Sequence, residues 1–280
     1  MNRYSKRITA AACVVCLLAV LFCSGFRLAS TTDESDIIPI YIDKAFAAEG
    51  TKIGDTTYVP IRAFCEMLTD DVEVSWDQET GTVTVEAPDL VIKAQVGENY
   101  MTANDRPLYI EDGILNRDGT VVVPIRVIAQ AFGVEISWNA REKSVEVDVE
   151  DMKAIEPAKD AYNKDDLYWL SHLIYAESGN QPLDGMIAVG NVVLNRVESK
   201  LFPNTIYGVI SQAGQFDVFA GGTIYRTPNE LSVIAAMLCL DGVETIESGL
   251  FFVNPEYGGD SWFKANLTYI TSIEDHDFYA

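Results

Sequence analysis

Histidine is nearly missing from this chain. Two occur in 280 residues, His172 and His276. None precedes His172, so the first half lacks the usual imidazole ligands of copper or zinc. Cysteine is scarce as well. Three of the five (Cys13, Cys16, Cys23) fall within the first thirty residues, which leaves Cys65 and Cys239 in different halves. Those two cannot build a disulfide framework or a CxxC pair, and both read as small buried apolar residues. No G-x-S-x-G elbow marks a serine nucleophile, and neither Cys65 nor Cys239 sits in a nucleophile motif. Positive charge is short: 20 Lys and Arg stand against 42 Asp and Glu, a formal net charge of −22. Such a surface repels phosphate backbones and anionic membranes, which argues against nucleic acid as a partner. A polymeric partner must instead be held by shape, hydrogen bonds and stacking.

What is present describes a folded protein. Hydrophobic residues make up 48% and charged residues 22%, within the range of globular chains, and the length suits two domains. Arg3, Lys6 and Arg7 precede an apolar stretch over 8–22, followed by Cys23-Ser24-Gly25 and Leu28-Ala29-Ser30. That is the layout of a secretory signal peptide over 1–30, and it points to an exported protein. An uncleaved anchor helix is the alternative; a lipid anchor on Cys23 is disfavoured by the bulk of Phe22.

An internal repeat follows. Thr57-Tyr58-Val59-Pro60-Ile61-Arg62-Ala63-Phe64 returns as Val121-Val122-Val123-Pro124-Ile125-Arg126-Val127-Ile128. Val74-Ser75-Trp76-Asp77 returns as Ile136-Ser137-Trp138-Asn139, and an alternating run follows each, over 82–86 and 144–148. Each copy predicts a strand, a short helix opened by proline, and a hairpin. One copy is too small to bury its own apolar face, so two packed copies form an α+β domain over 38–149. The paired V-P-I-R…W motif resembles the copper amine oxidase N-terminal-like domain. Without histidine, the copper in that name does not carry over. Arg62, Arg126, Trp76 and Trp138 either define the fold or form a wall-binding surface, and the resemblance implies a non-catalytic module that contacts the cell wall or an accessory protein. A charged linker is expected over 150–162.

The second domain, 163–280, begins with a cap. Asn163 precedes Asp165 and Asp166, acidic residues suited to a first helical turn. At about 100° per residue, Leu167, Leu170, Leu173 and Ile174 share one stripe, and Glu177 falls inside it. Gly179 can end the helix in the left-handed conformation. Burial and the negative end of the helix dipole both push the Glu177 carboxyl upward, the direction a general acid requires. Alternatively Glu177 reaches solvent or pairs with Arg196. His172, about 140° away around the helix, is expected at the surface. A second helix runs from Pro182 to about Glu198 with apolar residues nearly all round, so it is the centre of a helical core. Asn191 and Asn195 form a polar ridge on it, for local hydrogen bonds or for a groove. A third helix is expected from about Pro228 to Leu240, followed by short aromatic-rich segments that include Trp262.

Four separated blocks, YAESGNQPLDGMIAVGNVVLNRV (175–197), FPNTIYGVISQAGQF (202–216), LFFVNP (250–255) and IEDHDFY (273–279), resemble the SleB/CwlJ family of cell wall hydrolases, the spore cortex-lytic type. The resemblance implies a helix-rich, lysozyme-like fold related to lytic transglycosylases. It makes Glu177 the catalytic acid, with no metal and no cofactor, and peptidoglycan glycan strands the substrate. It places Gln212, Gln215, Phe216, Asn254 and His276 along or beneath the glycan groove and locates the protein in the cell envelope or spore cortex; Asn191, Asn195 and Trp262 are further groove candidates read from the residues themselves. Two departures stand out. Glu274 replaces the glycine that usually precedes the terminal block, and Asp217 stands where a small polar residue is usual. Asp217 and Asp184 are the candidates for a second carboxylate, which a hydrolase needs and a transglycosylase does not.

Overall fold

The computed structural model describes residues 36–258 and 260–280. The expected signal peptide and its three cysteines lie outside them. Among the described residues no helix is long and apolar enough to cross a membrane.

In chain order the first half runs β1 (Ile37–Ile42), β2 (Ala45–Ile53), β3 (Thr56–Pro60), α1 (Ile61–Leu68), β4 (Glu73–Asp77), β5 (Thr82–Ala87), β6 (Leu90–Gln95), β7 (Tyr100–Ala103), β8 (Arg106–Tyr109), β9 (Leu115–Arg117), β10 (Thr120–Pro124), α2 (Ile125–Phe132), β11 (Glu135–Asn139) and β12 (Ser144–Asp148). Strands β4 to β8 pair in sequence as a five-stranded sheet; the other seven pair in the order β11-β12-β1-β2-β3-β10-β9. Alternation sets which face is inward. Leu90, Ile92 and Ala94 of β6 are buried while Val91, Lys93 and Gln95 face out. Pro60 and Pro124 end strands and cap the helices that follow, with φ near −60° (−59° and −58°), one position earlier than a first-turn proline. The two hairpins after these helices lie in different sheets. Helices α1 and α2 close a core that includes Ile40, Phe64, Cys65, Val85, Ile92 and Ile128. Trp76 and Trp138 lie outside it, 45% and 48% exposed. They pair across their hairpins with Val83 and Val145, which are buried.

The second half contains α3 (Ala158–Ala161), α4 (Lys164–Ser178), α5 (Leu183–Glu198), α6 (Ile206–Ile210), α7 (Asp217–Ala220), a 3-10 turn at Thr223–Tyr225, α8 (Glu230–Leu240), β13 (Phe251–Val253), a second 3-10 turn at Pro255–Tyr257, α9 (Asp260–Asn266), β14 (Tyr269–Ile273) and β15 (His276–Tyr279). Helix α5 is the centre, buried along most of its length between α4, α6 and α8. Each Leu, Ile or Val it buries contributes roughly 1.5–3 kcal/mol before chain entropy is counted. Gly190 is required there for close approach: a Cβ would meet Cys239 Sγ at 2.5 Å. The sheet β13-β15-β14 packs on the other side, with Phe278 against Ala188, Val189 and Val192.

The charged connection over 150–162 is pinned rather than loose. Ile155 N–H donates to Ala131 O (3.0 Å), and Asn104 Nδ2 donates to Ile155 O (3.2 Å). The two halves touch through polar clusters. Asn99 Nδ2 and Tyr109 Oη donate to Asp184 Oδ1 (3.0 and 2.8 Å). Arg106 grips Asp241 through two nitrogens, and Tyr162 Oη donates to the same carboxylate at 2.6 Å. Asp184 is therefore spent at this contact and is not the second carboxylate of a site.

Candidate active site

Helix α4 starts where its cap chemistry says: Asn163 Oδ1 accepts from the N–H groups of Asp165 and Asp166 (2.9 and 3.1 Å). Leu170, Leu173 and Ile174 are fully buried, and Glu177 continues their side of the helix. The helix then ends without the left-handed glycine expected from the sequence. Gly179 is right-handed, φ −63° and ψ −7°. Glycine is needed for space instead, because a Cβ would lie 2.5 Å from Tyr175 O.

Glu177 opens into a cleft of about 460 Å³. The end of α4 contributes Glu177, Asn180 and Gln181. The segment before and into α7 contributes Gln215, Phe216 and Asp217. The C-terminal sheet and its neighbours contribute Phe252, Asn254, Asp275 and His276, with Arg196 of α5 also in the lining. The Glu177 carboxyl is pushed up from 4.5 to about 7, first by burial and second by the charge of Asp217. The helix dipole invoked from the sequence is not among these causes. A half-buried carboxyl that holds its proton to neutral pH can donate it to a ligand oxygen.

Arg196 does not pair with Glu177. Its guanidinium lies 4.9 to 5.4 Å from the ring centres of Phe202, Phe216 and Phe251, and its Nε donates to Leu250 O at 2.7 Å. Burial without a carboxylate lowers its pKa to about 10. His276 is buried and held below the usual histidine range, chiefly by that burial. It meets Phe252 edge-on at 5.2 Å, and its Nδ1 has no partner among the described residues. Asn254 Oδ1 accepts from Glu256 N–H at 3.0 Å, which caps the second 3-10 turn. Gln181 Nε2 donates to Asp275 Oδ2 at 2.6 Å, and Asp275 N–H donates back to Gln181 Oε1 at 3.3 Å. This double link holds the β14–β15 turn against the end of α4. At its tip Glu274 takes φ +48°, the left-handed conformation that glycine enters without strain.

Of the residues singled out in the sequence, Glu177, Gln215, Phe216, Asn254, His276 and Asp217 meet in this cleft. The others do not. Asn191 is 2% exposed; its Nδ2 donates to Val243 O (2.8 Å) and its Oδ1 accepts from Thr245 N–H (2.9 Å). Asn195 Nδ2 donates to Gly249 O at 3.0 Å. Both asparagines pin the loop before β13, which decides the two readings of that ridge for local hydrogen bonding. Gln212 lies outside the lining, with a buried Oε1 that has no partner among the described residues. Trp262 sits on α9, 57% exposed and edge-on to Phe263, also outside the cleft. His172 is buried rather than superficial: its Nδ1 lies 2.7 Å from Ile224 O, and its ring stacks at 4.0 Å on Tyr168. The 3-10 turn brings that carbonyl from 52 residues away, and helical period contains no trace of it. Sequence reasoning missed Gln181, Asp275 as its partner, and Phe252. All three lie in quoted blocks, but only folding joins them. Among the described residues no group of three or more His, Cys, Asp or Glu side chains could hold a metal ion.

Comparison with known proteins agrees with the motifs. Residues 41–147 match the family model described as Copper amine oxidase N-terminal domain, and residues 180–279 match the one described as Cell Wall Hydrolase. The second match begins three residues after Glu177. The first segment contains no histidine and does not fit a copper site. The spore cortex-lytic enzyme of Bacillus cereus is 37% identical over 101 residues, 36% of this chain and 39% of that protein. That of Bacillus subtilis is 34% identical over 101 residues, 36% of this chain and 33% of that protein. The chain thus spans under two fifths of the length of these relatives. The catalytic domain of the germination-specific lytic transglycosylase SleB from Bacillus anthracis is 34% identical, covering 43% of this chain and 98% of that one, with a TM-score of 0.41.

Proposed function

We propose that the second half is a peptidoglycan-cleaving enzyme that cuts the glycosidic bond between N-acetylmuramic acid and N-acetylglucosamine as a lytic transglycosylase. The observation that carries this reading is the Glu177 carboxyl, raised to about 7 inside the cleft. The names of the similar proteins, spore cortex-lytic enzyme and germination-specific lytic transglycosylase, supply the substrate class.

In this mechanism Glu177 gives its proton to the bridging oxygen as the bond from muramyl C1 to that oxygen breaks. The C6 hydroxyl of the same muramyl ring closes on C1, and its proton returns to the Glu177 carboxylate. The product is a 1,6-anhydro end, and Glu177 is regenerated. An intramolecular nucleophile needs no positioned water, a large effective-concentration advantage. Gln215, Phe216, Asn254 and His276 line the groove and orient the strand; neutral His276 serves there as a hydrogen-bonding group. Asp217 favours a second reading. A second carboxylate in the cleft could activate water and give a hydrolysed end instead. The first half acts as a non-catalytic wall-contacting module. The protein works outside the membrane, on cortex during germination or on envelope peptidoglycan.

Glu177→Gln is expected to lower glycan cleavage by ~10²–10⁴-fold with the fold retained. Mass spectrometry of digests separates the two chemistries, since an anhydro end is lighter than a hydrolysed end by one water. Cleavage by Glu177→Gln at the parent rate would end the proposal.

A further inference from the structure

A second surface lies one short helix away from the cleft. It is built on Trp169 of α4. Around its ring stand Tyr207 of α6 at 4.9 Å, Phe219 of α7 at 6.1 Å, Tyr225 of the first 3-10 turn at 6.3 Å, and Tyr168 at 5.1 Å between ring centres. Their planes cross Trp169 at 46° to 90°. Trp169 and Phe219 are partly buried against the helical core, so the open aromatic surface of the group is that of its tyrosines. Tyr207 and Tyr225 are 50% and 59% exposed. Neither their hydroxyls nor that of Tyr168 bonds to the protein among the described residues.

The platform is held rigid. His172 Nδ1 bonds to the carbonyl of Ile224, the residue before Tyr225, and the His172 ring backs Tyr168. Thr223 Oγ1 donates to Val218 O at 3.3 Å and ties the turn to α7. Rings fixed in this way lose little freedom when they meet a ligand.

The chemistry of the surface selects its occupant. At a net charge of −22 the protein repels polyanions. Flat apolar faces beside free hydroxyls suit a sugar ring, which offers an apolar C–H face and a rim of hydroxyls. Position selects it too. Helix α7 joins the two surfaces: its Asp217 and Val218 line the cleft, and its Phe219 packs on Trp169. A polymer leaving the cleft past α7 arrives on these rings.

We propose that Trp169, Tyr207, Phe219 and Tyr225 form a second carbohydrate-binding surface, which holds the glycan strand a few sugars from the bond being cut. This rests on the glycan-cleaving reading of the cleft. The surface strengthens the grip on polymer and adds nothing for a fragment short enough to fill the cleft alone.

The test uses the full chain. With Glu177→Gln preventing turnover, the double variant Tyr207→Ala/Tyr225→Ala is expected to bind insoluble peptidoglycan about tenfold more weakly. In the otherwise native chain the same pair lowers the rate on intact polymer and leaves the rate on a soluble tetrasaccharide fragment unchanged. Tyr225→Phe keeps the stacking face and most of the grip. As an independent readout, N-acetylglucosamine oligomers shift tryptophan emission in the Glu177→Gln chain, and Trp169→Phe removes that shift. Unchanged polymer binding by the double variant overturns the proposal, and is the outcome expected if the surface docks a protein instead. Equal loss on polymer and fragment also overturns it, because the effect then lies in the cleft. Failure of the cleft reading is seen separately, as cleavage that survives Glu177→Gln.

Discussion

Asp217 shares the cleft with Glu177, and its charge adds to burial in keeping the Glu177 carboxyl protonated up to about pH 7. Activity that needs the protonated acid falls as pH rises through that value. Asp217→Asn removes the smaller of the two causes and leaves burial in place. The high-pH limb of kcat/KM is expected to move to lower pH in that variant, while activity at pH 5 is kept. A limb that stays in place would show that Asp217 does not act on this carboxyl; loss of activity at every pH would favour the hydrolytic role for Asp217.

The same shift has a cost in stability. Glu177 titrates at about 7 in the folded chain against 4.5 for an ordinary glutamate. Between these values the folded chain keeps a proton that the unfolded chain has lost, so stability falls as pH rises through this window. Glu177→Gln escapes the penalty. Its unfolding free energy from urea denaturation is expected to exceed the parent's at pH 8, by ~2–3 kcal/mol, and to match it at pH 4. A variant no more stable at pH 8 would contradict the burial of this acid.

Glu274 holds φ +48° at the tip of the turn that carries His276 into the cleft. The left-handed conformation costs a non-glycine residue roughly 1–2 kcal/mol, and glycine returns part of that through its looser unfolded chain. Glu274→Gly is expected to stabilise the protein by ~0.5–1 kcal/mol in chemical denaturation. A lower midpoint would mean that Glu274 makes a compensating interaction.

Asn191 tests the division between scaffold and site. Both ends of its amide are bonded to the loop before β13, and it does not line the cleft. Asn191→Ala leaves Val243 O and Thr245 N–H unpaired inside the protein, a loss of ~2–3 kcal/mol. Denaturant unfolding is expected to register that loss, while KM on a short glycan fragment stays within twofold, about 0.4 kcal/mol. A raised KM with normal stability would return Asn191 to the substrate groove.

Local rules carried much of the outline. The cap at Asn163, the buried stripe of Leu170, Leu173 and Ile174, and the extent of α5 from Leu183 to Glu198 all follow from hydrogen-bonding chemistry and a 3.6-residue period. Glu177 on the apolar side of α4 was legible for the same reason. So were the alternating strands β5 and β12, whose valines point inward.

What meets a given face is not a local property, and there the sequence alone ran out. His172 looked like a surface residue because the turn that buries it arrives from far along the chain. Asn191 and Asp184 carried groove-like chemistry and are spent on scaffold contacts. Between two candidate carboxylates, only packing placed Asp217 beside Glu177, because the choice depends on how α4 and α7 approach in space. Periodicity reports which way a side chain points. Its partner, and hence its pKa, is set only when distant segments close around it.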